Sequence, residues 1–454
     1  MQPQFSYRDH ARAVLGLGLP LIGSHLAQFA INLSDAVMLG WYSVSALAAE
    51  VLGGTLFFVF FIMGSGFAWA VMPMVAMADS AGEEAQVRRY TRMGIWASLL
   101  FAAAVLPILL LAEPVLVALG QDPEISALAG DYLGLHGWSI LPALMVMVLK
   151  SYLSALERTQ VVLWVTVGAV GLNIAINYLL IFGNLGFPEM GVRGAGVASL
   201  IVTTASMVAL VIYAARVLPQ HTLFRRLWRP DRDAFAAVFR LGWPIGITNL
   251  AEVGLFAASS VMMGWLGKLP LAAHGIAMQI TAVVFMVHLG LSNTATVRAG
   301  QAFGRGDGPG LRAGAAVVVG ISLVVAALTM VVLLIVPEVL IGLFMNPLEP
   351  DREGVIAIGV GLLAAAALFQ LVDAGQVMAL GLLRGVQDTR IPMIIAALSY
   401  WAVGVPVSYV FGFTLGWGGV GVWLGLAIGL AFAAILMMAR FWAWSSRAGA
   451  ARMN

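Results

Sequence analysis

Twelve long apolar stretches constrain the fold of this chain more than any other feature. Each is longer than the roughly 20 residues that a helix needs to cross about 30 Å of hydrocarbon. The predicted spans are 13–40, 46–78, 93–119, 125–149, 160–183, 192–216, 236–266, 271–302, 312–345, 355–383, 391–414 and 419–444. Backbone groups inside lipid must be paired within a helix or a closed barrel, and these stretches are too long for barrel strands. With 61% hydrophobic residues, the chain is predicted to be an all-α membrane protein with twelve transmembrane helices.

The basic residues fall mainly on one side of the predicted membrane. Of 24 Lys and Arg residues, only Arg193, Lys268 and Arg352 lie on the other side. By the positive-inside rule, both termini and the 217–235 connection are predicted to be cytoplasmic. We interpret the basic cluster at 225–232 first as an orientation signal that meets anionic headgroups of the bilayer, and second as a lipid or partner site. No nucleic-acid partner is predicted.

The two halves of the sequence repeat each other at a constant offset. Matched pairs are Gly18 with Gly242, Pro20 with Pro244, Gly40 with Gly264, Trp41 with Trp265, and Gly66 with Gly290. We therefore predict two six-helix bundles, 1–216 and 236–454, joined by a cytoplasmic linker at 217–235 and related by a pseudo-two-fold axis along the membrane normal. This architecture is typical of secondary transporters, and a channel is the alternative. Because the duplication supplies both lobes, a monomer is predicted.

Three acidic residues, Asp35, Glu252 and Asp373, are predicted to lie at membrane depth. An Asp at a helix centre costs roughly 2.5 to 3.5 kcal/mol on insertion scales, so such residues usually face a bundle interior or a wet cavity. The acids do not follow the repeat, because Asp35 aligns with Ser259 and Glu252 aligns with Gln28. This asymmetry argues against a scaffold role and indicates a pathway for cations or protons.

Amides accompany the first acid. Asn32 precedes Asp35 by three residues and is predicted to share its helical face, while Asn173 and Asn177 share one face of span 5. Because amides at membrane depth need partners, we predict a cluster of Asp35, Asn173 and Asn177 that is supported by Thr203 of span 6. The functional interpretation is a proton or Na⁺ site formed by Asp35, Asn173 and Asn177. The structural interpretation is a polar cluster that holds helices together.

Amides also accompany the other two acids. Asn249 lies three residues before Glu252, and Gln370 and Gln376 flank Asp373 at three residues on either side. In one interpretation these amides solvate the carboxylates. In the other, Glu252 and Asp373 approach each other; two close carboxylates in a low dielectric cannot both stay ionised, so the pair would exchange a proton for a cation.

The remaining polar and conformational signals are weaker. Pro20 and Pro244 are predicted to kink their helices and to free a backbone carbonyl. Glu50, near the outer end of span 2, is interpreted as interfacial. The chain has no cysteine and no HExxH, GxSxG or P-loop motif, so we predict neither an enzyme nor ATP coupling, and no cofactor beyond a coupling ion, Na⁺ or H⁺.

At several motifs the chain resembles the multidrug and toxic compound extrusion (MATE) family nearly end to end. The most specific motif is LRGVQDTRIP at 383–392, after span 10. Others are AAH at 272–274 and VRAG at 297–300 in span 8, and NIAINY at 173–178 in span 5. Glu252 together with Asp373 resembles the NorM-like bacterial branch of the family.

This resemblance implies an antiporter of the bacterial inner membrane that expels small amphiphilic organic cations in exchange for Na⁺ or H⁺. It also implies a V-shaped pair of lobes around a central cavity, with coupling roles for Asp35, Glu252 and Asp373. One departure matters: where some NorM-like relatives have a Tyr one turn before the span-10 acid, this chain has Phe369. The missing oxygen weakens Na⁺ binding at the C-terminal acids and leaves H⁺ coupling open. A lipid-linked precursor flippase of the same superfamily is the alternative.

Overall fold

The computed structural model describes residues 6–450, apart from the side chains of residues 444 and 446–450. The described residues form helices and no β-strand. The helices are α1 Tyr7–Tyr42, α2 Val44–Ser80, α3 Glu84–Leu110, α4 Ala112–Ala118, α5 Pro123–His136, α6 Ile140–Ala155, α7 Thr159–Leu180, α8 Val192–Val217, α9 Arg232–Leu266, α10 Lys268–Arg305, α11 Gly308–Ile335, α12 Pro337–Gly342, α13 Arg352–Gly385, α14 Arg390–Ala397, α15 Val405–Tyr409 and α16 Gly418–Ala450.

Twelve segments within this described part are long and apolar enough to cross a membrane. α5 and α6 together form the fourth, and α14, α15 and the π-helical turns beside α15 form the eleventh. The predicted all-α fold with twelve spans is therefore confirmed. The extreme termini, residues 1–5 and 451–454, which are predicted to be cytoplasmic, lie outside the described residues.

Two predicted spans are too long at their C-terminal ends. The prediction of 93–119 joins α3 to the separate short helix α4, and the prediction of 312–345 joins α11 to α12. The second break has a clear cause, since Pro337 has no N–H to continue α11 and disfavours helical geometry in the residue before it. Apolar composition continues through both breaks, so hydropathy alone does not reveal them.

The chain divides into two compact units that do not follow the halves of the sequence. We call Gly23–Gly246 the N-terminal unit, and we call the residues up to Ile22 together with those from Ile247 onward the C-terminal unit. The predicted boundaries of 1–216, 217–235 and 236–454 therefore differ from the structural ones. The first part of α1 belongs with the second half of the sequence, and the first part of α9 belongs with the first half.

Close packing of small residues explains this exchange in the C-terminal unit. A Cβ added at Gly18 of α1 would lie 3.3 Å from Thr294 Oγ1 of α10. A Cβ added at Gly290 of α10 would lie 2.7 Å from the backbone nitrogen of Ile22. The first part of α1 therefore contacts α10 almost backbone to backbone, as small residues permit in membrane helices.

The N-terminal unit repeats the same packing with the equivalent residues. A Cβ added at Gly242 of α9 would lie 2.8 Å from Phe67 Cα of α2, and a Cβ added at Gly66 would lie 2.8 Å from Gly246 Cα. Gly66 and Gly242 are the repeat partners of Gly290 and Gly18. The sequence repeat thus marks the glycines where the first helix of one half packs on the second helix of the other.

The two prolines of the repeat lie where the helices pass between units. Pro20 is inside α1 and Pro244 is inside α9, each two residues before the last residue assigned to the preceding unit. A proline inside a helix removes one backbone hydrogen bond and crowds the preceding turn. Both helices continue past their prolines, and the lost hydrogen bond falls where each helix changes its packing partners.

Contacts with α3 hold the linker in place within the N-terminal unit. Arg89 donates two hydrogen bonds to the Asp231 carboxylate, at 2.5 and 3.0 Å. Hydrogen bonding to Arg89 lowers the pKa of the Asp231 carboxyl group. Arg92 donates to the backbone carbonyls of Leu223 and Thr222, at 2.7 and 2.6 Å. Two basic residues of α3, Arg89 and Arg92, therefore fix the linker in place.

The packing at Gly66 yields a stability prediction. Replacing Gly66 with Ala should lower the free energy of unfolding by about 1 to 3 kcal/mol, because the new methyl group overlaps the backbone of α9. Replacing Gly168 of α7, where an added Cβ meets nothing within 4 Å, should cause no loss. Thermal unfolding of the two purified variants in detergent compares them. Equal unfolding temperatures would show that the helices can separate here without cost.

Candidate ion-coupling sites

The structure brings Asp35 of α1 together with two amides of α7. Asp35 Oδ1 accepts hydrogen bonds from Asn173 Nδ2 at 3.0 Å and from Asn177 Nδ2 at 2.5 Å. Both amides are fully buried, and Asp35 is 7% exposed. The helical spacing of Asn173 and Asn177 places both on the face of α7 that meets Asp35. The cluster predicted from the sequence is present in the N-terminal unit.

Two polar residues that were predicted to support this cluster do not contact it. Asn32 is exposed and makes no hydrogen bond to a described residue. Because it lies three residues before Asp35, its side chain points about 60° away from that of Asp35 around the helix axis, which turns it away from α7. Thr203 uses its hydroxyl within α8, where it donates to the Ser199 carbonyl at 2.7 Å. One member was missed: Ser34 donates to Asn173 Oδ1 at 2.8 Å.

One oxygen of the Asp35 cluster lacks a donor. Asn177 Oδ1 is buried and has no hydrogen-bond partner among the described residues. An unpaired buried amide oxygen costs free energy, so a donor or a cation beside it would be stabilised. This oxygen and the Asp35 carboxylate are ligands of the type that hard cations prefer, and the N–H groups of Asn173 and Asn177 lie beside them.

The C-terminal unit gathers the other two acids. Asp373 of α13 is 1% exposed and Glu252 of α9 is half-buried, and they are close enough for their charges to interact. No described residue donates a hydrogen bond to either carboxylate. The amides serve other groups: Gln376 Nε2 donates to Tyr400 Oη at 2.6 Å, and Gln370 Nε2 lies 3.4 Å from the Thr281 carbonyl oxygen. The interpretation that amides solvate the acids is therefore wrong.

A basic residue that the sequence analysis placed outside the membrane enters this site. Arg384, at the end of α13, is 8% exposed and donates from Nη2 to Asn249 Oδ1 at 2.8 Å. Its charge interacts with that of Glu252, one turn beyond Asn249 on α9. Asn249 thus serves a guanidinium and not a carboxylate. The sequence signal for this contact is the run LRG at 383–385, where Arg384 directly follows the apolar span and can reach back into it.

Four buried oxygens of the C-terminal site have no donor among the described residues. They are Glu252 Oε1, Asp373 Oδ1, Gln370 Oε1 and Gln376 Oε1. Burying unpaired polar groups is unfavourable unless a proton, a cation or water satisfies them. A proton on either acid would create a donor, and a cation would be coordinated by the oxygens directly. The arrangement can therefore bind and release a positive charge.

Aromatic residues surround the position of the missing tyrosine. Phe369 packs edge-to-face against Phe256 and Trp423, with ring centroids 6.0 and 5.5 Å apart. Phe369 supplies no oxygen ligand, because its side chain is a hydrocarbon. A phenol is supplied nearby by Tyr400, which lies in the π-helical turn Leu398–Gly404. Tyr400 interacts electrostatically with both Glu252 and Asp373. Among residues 6–450, no group of three His, Cys, Asp or Glu side chains could hold a metal ion.

Comparison with known proteins places this fold in a family. The MatE family profile matches residues 20–179 and 244–410, more than half of the chain. A probable multidrug resistance protein NorM of Rhizobium meliloti (strain 1021) is 46% identical over 452 residues, covering 99% of this chain and 97% of that protein. The corresponding protein of Agrobacterium fabrum (strain C58 / ATCC 33970) is 44% identical over 438 residues, covering 96% and 94%. The twelve spans and these relatives define a multi-pass bacterial membrane protein. It belongs to the MATE family and is NorM-like.

Solved structures share the fold at low sequence identity. A MATE protein in a bent conformation has a TM-score of 0.89 at 18% identity, with 98% of each chain covered. A MOP superfamily transporter from Pyrococcus furiosus Vc1 (DSM3638) has a TM-score of 0.86 at 19% identity, with 97% of this chain and 96% of that chain covered. The helical architecture is therefore that of the family.

Proposed function

We propose that this protein is a secondary multidrug efflux transporter, which exports small amphiphilic organic cations in exchange for Na⁺ or H⁺. The multidrug resistance named for its relatives supports the export of organic substrates. The observation that carries the coupling role is the set of unpaired buried oxygens beside Asp35 in one unit, and beside Glu252 and Asp373 in the other.

Coupling follows from competition for these oxygens. A carboxylate that holds a proton or Na⁺ no longer attracts a cationic substrate, and a bound substrate disfavours the ion. Each ligand lowers the affinity for the other by the same factor, which is the thermodynamic requirement for exchange. A gradient of the ion across the membrane then drives the substrate in the opposite direction.

The charges of the two clusters favour a cationic substrate over the anionic lipid-linked precursors that a flippase moves. Asp35, Glu252 and Asp373 supply acidic groups in both clusters, and Arg384, which interacts with Glu252 and donates to Asn249, supplies a single positive charge. We further propose that the protein lies in the bacterial inner membrane as a monomer, with the Arg-rich linker and both termini in the cytoplasm.

The C-terminal site gives a direct test of the proposed function. Replacing Asp373 with Asn should reduce gradient-driven efflux from proteoliposomes by about 10-fold or more, because the variant cannot bind and release a proton there. Thermal stability should not fall, since the substitution removes a buried charge that no donor serves.

Asp351 provides the matched control. It is an Asp at the start of α13 that pairs with Lys268 at the surface, 2.9 Å away, and an exposed pair of this kind contributes little. Asp351→Asn should therefore export at the wild-type rate. Wild-type export by a folded Asp373→Asn variant would remove the C-terminal acids from the coupling mechanism.

A further inference from the structure

Glu50, interpreted from the sequence as interfacial, lies about as far from the turn between α1 and α2 as Asp35 does. α1 and α2 are joined by a one-residue turn at Ser43, and a Cβ added at Gly40 would contact Leu47 Cδ2 at 3.5 Å. This hairpin puts Glu50, seven residues after the turn, at nearly the depth of Asp35, eight residues before it. Its carboxylate also points inward along the helix, because Glu50 Oε1 is 3.5 Å from where a Cβ on Gly54 would be.

The surroundings of Glu50 join it to the Asp35 cluster. One turn further along α2, a Cβ added at Gly53 would lie 3.0 Å from Tyr132 Cδ1 of α5. Tyr132 is 3% exposed and interacts electrostatically with both Glu50 and Asp35. Asp35 and Tyr132 are the titratable groups whose charges interact with Glu50, and the amides of α7 carry no charge.

An unpaired side chain points to a ligand shared by these groups. Asn177 is fully buried, and its Nδ2 is committed to Asp35 at 2.5 Å, so its amide faces the carboxylate. Its Oδ1 has no donor among the described residues. Asp35 of α1, Asn177 of α7 and Glu50 of α2 thus supply acceptor oxygens, with the two carboxylates close enough for their charges to interact, and such acceptors suit a proton that moves directly or through water.

We propose that Glu50 is the second acid of the N-terminal site and exchanges the coupling proton with Asp35. Asp35 is almost closed off from solvent, whereas Glu50 is only half-buried. In the exchange, the O–H bond of a protonated Asp35 breaks and an O–H bond forms on the Glu50 carboxylate, which leaves Asp35 ionised and the charge of the pair unchanged. Glu50 then releases the proton to water. This inference rests on the proposed function, because it assigns a route to the proton that drives export.

The test compares Glu50→Gln with a matched carboxylate at the same end of the unit. Glu189 accepts a hydrogen bond from Tyr42 at 2.9 Å and is exposed, so Glu189→Gln serves as the control. Each full-length variant is purified and reconstituted, and ethidium efflux is measured under an imposed pH gradient at several pH values. Equilibrium binding of ethidium is measured separately by fluorescence polarisation.

We expect Glu50→Gln to bind ethidium within about twofold of wild type, to slow proton-driven efflux by about 10-fold and to change its pH profile. Glu189→Gln should match wild type in all three measurements. Wild-type efflux and an unchanged profile in Glu50→Gln would overturn the inference, and so would a wild-type protein driven by Na⁺ alone.

Failure of the proposed function would look different, because wild type itself would then show no gradient-driven efflux. If Glu50→Gln unfolds at a lower temperature than wild type, Glu50→Asp replaces it. That variant keeps the acid in a shifted position, so the inference predicts retained efflux with a displaced pH profile. An unchanged profile would overturn it.

Discussion

Replacing Asp35 with Asn is expected to reduce gradient-driven export by about 100-fold, to the background of empty vesicles. The substitution removes the charge that a proton, Na⁺ or a cationic substrate would neutralise. It should leave the fold intact, since an amide oxygen at this position can still accept from Asn173 and Asn177. Relief from burying a carboxylate offsets the weaker hydrogen bonds.

The measurement for Asp35→Asn pairs ethidium efflux from proteoliposomes with thermal unfolding in detergent. Asn173→Ala, which removes one donor but keeps the carboxylate, serves as a comparison and should retain part of the transport. A well-folded Asp35→Asn variant that exports at the wild-type rate would show that the N-terminal cluster only holds helices together.

Removing the guanidinium of Arg384 is expected to produce the largest loss of stability. Arg384→Gln should lower the free energy of unfolding by about 3 kcal/mol, because Asn249 loses its charged donor and Glu252 loses the positive charge that interacts with it. Glu252 and Asp373 would then share the site with no positive charge from Arg384. Export should fall together with the amount of folded protein.

A double-variant cycle separates this explanation from simple loss of packing. Adding Glu252→Gln to Arg384→Gln should recover part of the lost stability, since both charges are then absent. Arg390, an exposed residue six positions further along, gives a control at which Gln should have no effect. Strictly additive losses from Arg384→Gln and Glu252→Gln would contradict electrostatic coupling between them.

The part of the site that the sequence predicted is the part governed by helical periodicity. Asp35 meets Asn173 and Asn177 because amides four residues apart share a face and need a partner in the membrane. The prediction failed for Asn32. A spacing of three residues suggested a face shared with Asp35, but α7 covers only the part of α1 around Asp35 and leaves Asn32 exposed. The all-α fold and its twelve spans followed from length and hydropathy alone.

Helical periodicity and hydropathy do not predict which distant segments of the chain contact each other. Arg384 was counted with the cytoplasmic basic residues, because side-chain direction at a helix end cannot be read from composition. Tyr400 enters the C-terminal site from a π-helical turn that no apolar pattern distinguishes from an α-helix. The exchange of helix segments between units was also missed, although the repeated glycines Gly18 and Gly242 carried its signal.

The most direct test of ion-coupled export is efflux of ethidium from proteoliposomes that contain the full-length protein, with Na⁺ and pH gradients imposed separately. We expect an inward gradient of at least one of these ions to accelerate efflux, and Asp35→Asn to remove the acceleration. An inward pH gradient that suffices alone would make the acids proton carriers, and a Na⁺ gradient that suffices alone would make their oxygens a Na⁺ site. Efflux that neither gradient accelerates, for ethidium and for other organic cations, would contradict ion-coupled export.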